Sequence, residues 1–205
     1  MIEQLSALLG SAQPIFFLLA GPNGAGKSTF RKKYLDPAGL RCVDPDDVAR
    51  GKYGRDPKNI TEAIAASAEA ARIVRAQLHR RTTVGLETVF SDTKGLKLGL
   101  LNDARSLGFR VGVVFIGLDD PQLSIARVMD RVDGGGHDVP DELIMQRFPR
   151  SFQNLRKAIP VSDFVLLVDN SRETRHRIFG SITRADGLHL WDRTPRWYEE
   201  YSVCK

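Results

Sequence analysis

The sequence predicts a three-layer α/β fold, with a mainly parallel five-stranded sheet flanked by helices. Three observations predict it. Short apolar runs alternate with helix-periodic segments along the chain, which is the pattern of βα units. The run from Arg110 to Leu118 is nearly continuous in apolar residues, as a central parallel strand covered on both faces requires. Polar residues gather where four predicted strands end, and ligands bind beyond the carboxyl ends of strands in such sheets.

The elements follow in order. Ile15–Ala20 is apolar throughout and predicts a buried first strand. Directly after it, Gly21-Pro22-Asn23-Gly24-Ala25-Gly26-Lys27-Ser28 fits the pattern G-x-x-x-x-G-K-[ST], and Ser28 to Leu35 opens a helix. That is the strand–loop–helix context in which such a loop cradles phosphates. A chance match in a chain this long is on the order of 1% from average residue frequencies. Arg41 to Asp44 is a short second strand. Asn59 to Arg81 is an Ala-rich helix capped by Asn59 or Thr61, its inward face Ile64, Ala68, Ala71, Val74 and Leu78. Thr83 to Glu87 is the third strand, and Leu96 to Leu107 a helix stopped by Gly108. After the fourth strand come a helix from Leu123 to Val132 and a Gly-rich loop from Asp133 to Val139. A helix from Pro140 to Ile159 follows, bent or broken at Pro149. Phe164 to Val168 is the fifth strand. In the tail, Ile178–Ile182 and Leu188–Trp191 predict a small hairpin about Ala185-Asp186-Gly187. Trp191, Trp197, Tyr198 and Tyr201 are expected to pack a final helix on the core. The whole chain is expected to form one domain, with a core over 15–171, a lid over 127–150 and a C-terminal extension over 172–205.

Composition narrows the function. The 205 residues are 42% hydrophobic and 27% charged, ordinary for a globular protein. Two cysteines, Cys42 and Cys204, make no disulfide framework or metal spacing. No apolar run approaches the ~20 residues of a membrane helix. Met1-Ile2-Glu3-Gln4 lacks the basic start of a signal peptide, so a cytoplasmic protein is expected. The net charge of +5 and pI of about 9.4 favour anionic ligands. With no dense basic tail or aromatic-interleaved basic stripe, nucleic acid is not the expected partner.

Candidate chemistry lies at the strand ends. In the loop, Gly21, Asn23, Gly24, Ala25, Gly26, Lys27, Ser28 and Thr29 are the nucleotide-binding set. Lys27 reaches the β/γ-phosphates of ATP, and the Ser28 hydroxyl holds Mg²⁺. After the second strand, Asp46 is the preferred base for an acceptor hydroxyl and Asp44 the alternate; the competing role for Asp46 or Asp47 is a helix N-cap. Glu87 and Thr88 end the third strand, and Glu87 suits the magnesium water shell or the acceptor. Arg127 and Arg131 lie four apart on one helix face before the Gly-rich loop. With His137, Arg147 and Arg150 they suit a lid that closes on the triphosphate. Asp169 and Asn170 follow the fifth strand. Guanine-specificity, transporter-ATPase, zinc, nucleophile-elbow and protein-kinase motifs are missing.

Taken together, Leu18–Thr29, Asp44-Pro45-Asp46-Asp47, Glu87-Thr88, Pro121–Val128, Arg131-Val132 before Gly135-Gly136-His137, Arg147-Phe148-Pro149-Arg150-Ser151 and Asp169-Asn170-Ser171 resemble the zeta toxin family of P-loop kinases over roughly residues 15 to 171. The resemblance implies ATP- and magnesium-dependent phosphorylation of a sugar hydroxyl on a UDP-N-acetyl-hexosamine, and often an antitoxin protein as partner. It implies that Asp46 matches the catalytic base, Lys27 the loop lysine, Glu87 the strand-end acid and Arg131 a phosphate-contacting arginine. Where longer members carry a second lid arginine this chain has His137, and Arg127, Arg147 or Arg150 is expected to supply that charge. Two other readings stand beside this one: a nucleic-acid end kinase or repair NTPase, and a non-catalytic ATP-binding toxin remnant.

Overall fold

A computed structural model describes residues 13–133, 138–172 and 176–204. The segment before residue 13 and most of the Gly-rich loop, His137 included, lie outside the described residues.

The apolar strand β1 (Ile15–Ala20) is buried at every position and forms the middle of the sheet. The loop after it leads into α1 (Lys27–Phe30), which continues as a π-helical turn over Arg31–Leu35. Then follow β2 (Cys42–Val43), α2 (Pro45–Tyr53), α3 (Ile60–His79), β3 (Val84–Thr88), α4 (Leu96–Ser106), β4 (Arg110–Gly117), α5 (Pro121–Asp133), α6 (Asp141–Ala158), β5 (Phe164–Asp169), β6 (Arg177–Thr183), β7 (Gly187–Leu190) and α7 (Arg196–Glu200). The strand order is β2-β3-β1-β4-β5-β6-β7. The first five strands are parallel, and β6 and β7 add antiparallel. The sheet therefore has seven strands rather than five. The tail hairpin does not stand apart, because β6 pairs along the whole of β5, from Phe164↔Thr183 to Asp169↔Arg177.

With β3 on one side of β1 and β4 on the other, successive connections leave β1 in opposite directions. A crevice opens at its carboxyl end, the switch point where α/β sheets bind ligands. Register levels the strand ends around that crevice: Leu19 pairs with Glu87, Ala20 with Thr88 and Phe115, and Gly117 with Asp169.

Three local expectations are corrected. For α2 only a helix cap at Asp46 or Asp47 is expected from the sequence, with no helix bounds, although Asp44 at the N-cap, Pro45 at the first helical position and left-handed Gly54 at the end are ordinary start and stop signals. Its cap is Asp44, whose Oδ1 accepts the Asp46 N–H at 2.9 Å, not Asp46 or Asp47. On α3 the buried face is Ala66, Ala70, Val74 and Leu78, while Ile64 is 62% exposed. The small alanines let the helix seat closely and turn the isoleucine outward; Asn59 is its cap, accepting from the Glu62 N–H. Finally, α6 runs unbroken through Pro149, so of the bend or break expected there the break does not occur. Phe148 and Phe152 on its inner face are fully buried, and their packing outweighs the one hydrogen bond proline removes.

The C-terminal helix closes the core. Trp197 is fully buried, against Phe115, Phe152 and Phe179 at ring separations of 5.4–5.7 Å, and its Nε1–H donates to Asp169 Oδ1 at 3.1 Å. Gly117 faces the indole so closely that a Cβ there would sit 2.3 Å from it. Trp191, in contrast, stays 40% exposed. Trp197→Ala removes both the ring and the donor to a buried carboxylate, and a loss of about 3–5 kcal/mol is expected. Urea unfolding followed by the lost near-UV signal checks this.

Candidate active site

The loop from Gly21 to Ser28 is shaped by what packs behind it. Gly21 takes φ 149°, and a Cβ on it would meet the Ile116 carbonyl oxygen at 2.1 Å. Gly26 takes φ 81°, and a Cβ would press on the Asn170 amide at 2.7 Å and the His176 ring at 2.9 Å. Both positions admit only glycine. The loop is tied from three sides. Ser124 Oγ on α5 donates to the Asn23 carbonyl at 2.5 Å, Asn170 Nδ2 donates to the Ala25 carbonyl at 3.0 Å, and His176 Nε2 sits 3.1 Å from the Gly26 carbonyl. Gly24 lies against the Ser124 backbone and the Arg127 side chain. Asn23 is itself buried, and its Oδ1 has no hydrogen-bond partner among the described residues.

Lys27 is buried with Nζ donating to the carbonyls of Gly21 at 3.0 Å and Pro22 at 2.8 Å. Burial lowers its pKa, opposed by Glu87 and Asp44. Asp46 and Arg131 also act on it electrostatically, with opposite signs, so both lie within reach of the lysine's charge. Thr29 is exposed, and Thr88 Oγ1 accepts the Phe90 N–H at 3.0 Å.

Beside the lysine lies a buried acidic cluster. Ser28 Oγ donates to Glu87 Oε1 at 2.6 Å. Glu87 is 6% exposed, and its Oε2 has no hydrogen-bond partner among the described residues. Arg31, one turn after Lys27, reaches Asp47 at 3.0 Å, Asp44 at 3.4 Å and Glu87 at 3.8 Å. Burial alone would weaken its charge; the three carboxylates, Glu87 foremost, outweigh that and raise its pKa. Sequence reasoning missed Arg31. The available signal was its spacing of four from Lys27, which puts both on one helical face. Oxygen donors such as the Ser28 hydroxyl and an orphaned, buried Glu87 oxygen suit magnesium, so these two residues fit that ion.

Burial pushes the Asp44 carboxyl up to about 7; the Glu87 charge adds to this and the Asp46 N–H opposes it. The group binds its proton more tightly in the folded chain than at its ordinary value of 3.8. Its contribution to stability is thus full below pH ~4 and lost as pH rises through ~7. Wild type should lose stability relative to Asp44→Asn, which keeps a capping side chain, between pH 4.5 and 8. Paired urea titrations at the two pH values check the sign.

Arg127 NH1 donates to the Asn170 carbonyl at 2.8 Å, next to the loop. Arg131 lies on the last turn of the same helix. Arg147 and Arg150 lie on α6, each half-buried. Asp169 serves the fold: it accepts from Ser171 and Trp197 and pairs with Arg177 at 3.2 Å. A cavity of about 700 Å³ lies at the other, amino-terminal end of the strands. Of its three arginines, Arg105 and Arg184 already face Asp163 and Arg110 lies over the Phe164 ring, so it competes poorly with the crevice as the site.

The fold and this loop define a P-loop kinase-like protein with a nucleotide-binding fold. A family model described as an AAA domain matches residues 16–153, and the chain belongs to that family. An uncharacterized protein of Haemophilus influenzae is 25% identical over 128 residues, covering 62% of this chain and 88% of that one. The fold is shared with AvrRxo1-ORF1:-ORF2 crystallised with ATP, at TM-score 0.68 and 16% identity over 98% of this chain and 69% of that one. It is shared also with a structure from the PezAT chromosomal toxin-antitoxin system of Streptococcus pneumoniae, at TM-score 0.61 and 17% identity over 98% of this chain and 88% of that one. An RNA repair complex matches less of the chain, at TM-score 0.57 and 19% identity over 72% of this chain and 47% of that one. Among the described residues no helix is long and apolar enough to cross a membrane.

Proposed function

We propose that this protein is an ATP-dependent phosphotransferase acting on a hydroxyl of a small-molecule acceptor, in one domain that spans the chain and works in the cytoplasm. The observation that carries the reading is a buried loop lysine, Lys27, beside the buried carboxylates Asp44 and Glu87 at the neighbouring strand ends, with Asp46 on the helical turn that Asp44 caps. The zeta-toxin resemblance favours a UDP-N-acetyl amino sugar as acceptor, and the likeness to a toxin–antitoxin structure supports an antitoxin protein as partner.

The loop N–H groups and Lys27 bind the triphosphate, Lys27 leaving the Gly21 and Pro22 carbonyls for the phosphate oxygens. Asp46, on the first turn of α2, orients the acceptor hydroxyl and takes its proton on a carboxylate oxygen as the oxygen attacks the γ-phosphorus. The bond to the β,γ-bridging oxygen breaks and ADP departs. Arg131, with Arg127 beside it, faces the loop and offsets charge on the transferring group. Ser28 directly and Glu87 through water would hold magnesium, which when bound neutralises phosphate charge. Arg31 holds Asp44, Asp47 and Glu87 in place.

The test is incubation with ATP, magnesium and a panel of nucleotide sugars together with a 5′-hydroxyl RNA oligonucleotide, read by mass. A gain of one phosphate on a nucleotide sugar is expected. A gain on the oligonucleotide alone would transfer the reading to a nucleic-acid end kinase, and ATP binding with no product on any acceptor would favour a non-catalytic module.

A further inference from the structure

The helices α5 and α6 dock on different parts of the crevice. α5 sits on the phosphate loop through Ser124 Oγ and the Asn23 carbonyl, and it carries Arg127 and Arg131. α6 sits on the segment just beyond the carboxyl end of β3. Ser151 Oγ donates to the Val89 carbonyl at 2.7 Å, and Asn154 Nδ2 donates to the carbonyls of Phe90 and Asp92, each at 2.9 Å. Phe90 is held there at φ 60°, a conformation a bulky residue resists. Helical spacing places Arg147 and Arg150 on that same flank, one turn nearer the start of α6: Arg147 precedes Ser151 by four residues and Arg150 precedes Asn154 by four.

Many arginines of the chain face a carboxylate within 4 Å, among them Arg31, Arg50, Arg105, Arg177 and Arg184. Arg147 and Arg150 have no such partner among the described residues. Burial and the Arg150 charge both work against the Arg147 cation. Two like charges, half-buried side by side on a helix with no counter-ion, are unfavourable unless something anionic joins them.

We propose that Arg147 and Arg150 form an anion subsite on the acceptor side of the crevice, separate from the arginines that face the phosphate loop, so that the acceptor carries a phosphate or diphosphate group. This rests on the kinase reading above and deepens it. The donor is gripped by the loop and α5, and the acceptor's own anion is gripped by α6. The two helices pack on each other through Val128, Val139 and Ile144, which holds the two grips beside one crevice.

The probe is inorganic phosphate, titrated calorimetrically into protein first saturated with a non-hydrolysable ATP analogue and magnesium. One phosphate per loaded protein is expected to bind. In Arg147→Gln/Arg150→Gln its affinity should fall about tenfold or more, the scale of lost charge-assisted hydrogen bonds. The analogue's affinity should change by less than about twofold on the same scale, and the variant's melting temperature should hold or rise, since no ion pair is lost. The inference is overturned if loaded wild type binds no phosphate, if the double variant binds it as well as wild type, or if the analogue's affinity drops in parallel, which would put the pair on the donor side. Failure of the kinase reading shows earlier and separately, as wild type that does not take up the analogue at all.

Discussion

Lys27→Ala is expected to weaken ATP binding about 10- to 150-fold, as loss of charge-assisted hydrogen bonds worth about 1.5–3 kcal/mol predicts. Phosphotransfer should fall about a further 10²–10³-fold, the usual cost of removing one preorganised group that stabilises transition-state charge. The lysine is buried, and its present partners are two carbonyls of its own loop. Desolvation already works against its charge. The empty protein should therefore lose no more than about 1 kcal/mol on the substitution. Calorimetry for ATP and urea unfolding for the empty chain separate the two effects. A variant that binds ATP as well as wild type would remove Lys27 from the site.

Asp46→Asn is the second large effect. Loss of a positioned general base lowers transfer about 10²–10⁴-fold, with ATP binding nearly unchanged. The fold should not respond, because the cap of α2 uses the backbone N–H of residue 46 and the side chain of Asp44. The measurement is single-turnover transfer to whichever acceptor the panel identifies, beside an ATP titration. Asp44→Asn is the informative partner. If it abolishes transfer while Asp46→Asn does not, the proton goes to Asp44, whose carboxyl burial pushes up to about 7.

The loop and its strand were legible because both are local. A run of six apolar residues, a glycine pattern and a lysine specify backbone angles and donors within fourteen positions. The strand-end carboxylates were legible for a similar reason, since a parallel sheet always presents its carboxyl ends to one crevice. For Arg31 only the shared helical face with Lys27 was legible; its role was not, because that depends on β2 and β3 arriving beside α1 and bringing Asp44, Asp47 and Glu87. The face of α3 was misjudged because spacing weighs isoleucine above alanine. Packing at close range favoured the smaller residue and left Ile64 outside. Pro149 was read from its missing N–H alone, although the aromatic packing of Phe148 and Phe152 decides that helix. The cap signals of α2 were present in Asp44, Pro45 and Gly54 and could have been used.

By itself the sequence determined the class of fold, the phosphate loop and the residue types that surround it, since local backbone preference and strand periodicity are properties of short segments. The tertiary structure decided three other things: that the tail hairpin completes one seven-stranded sheet, that Asp169 is committed to Trp197 and Arg177, and that α5 and α6 rest on different parts of the crevice. Each of these joins residues far apart in the chain, and such pairings are set by which surfaces and buried polar groups find partners when the whole core closes.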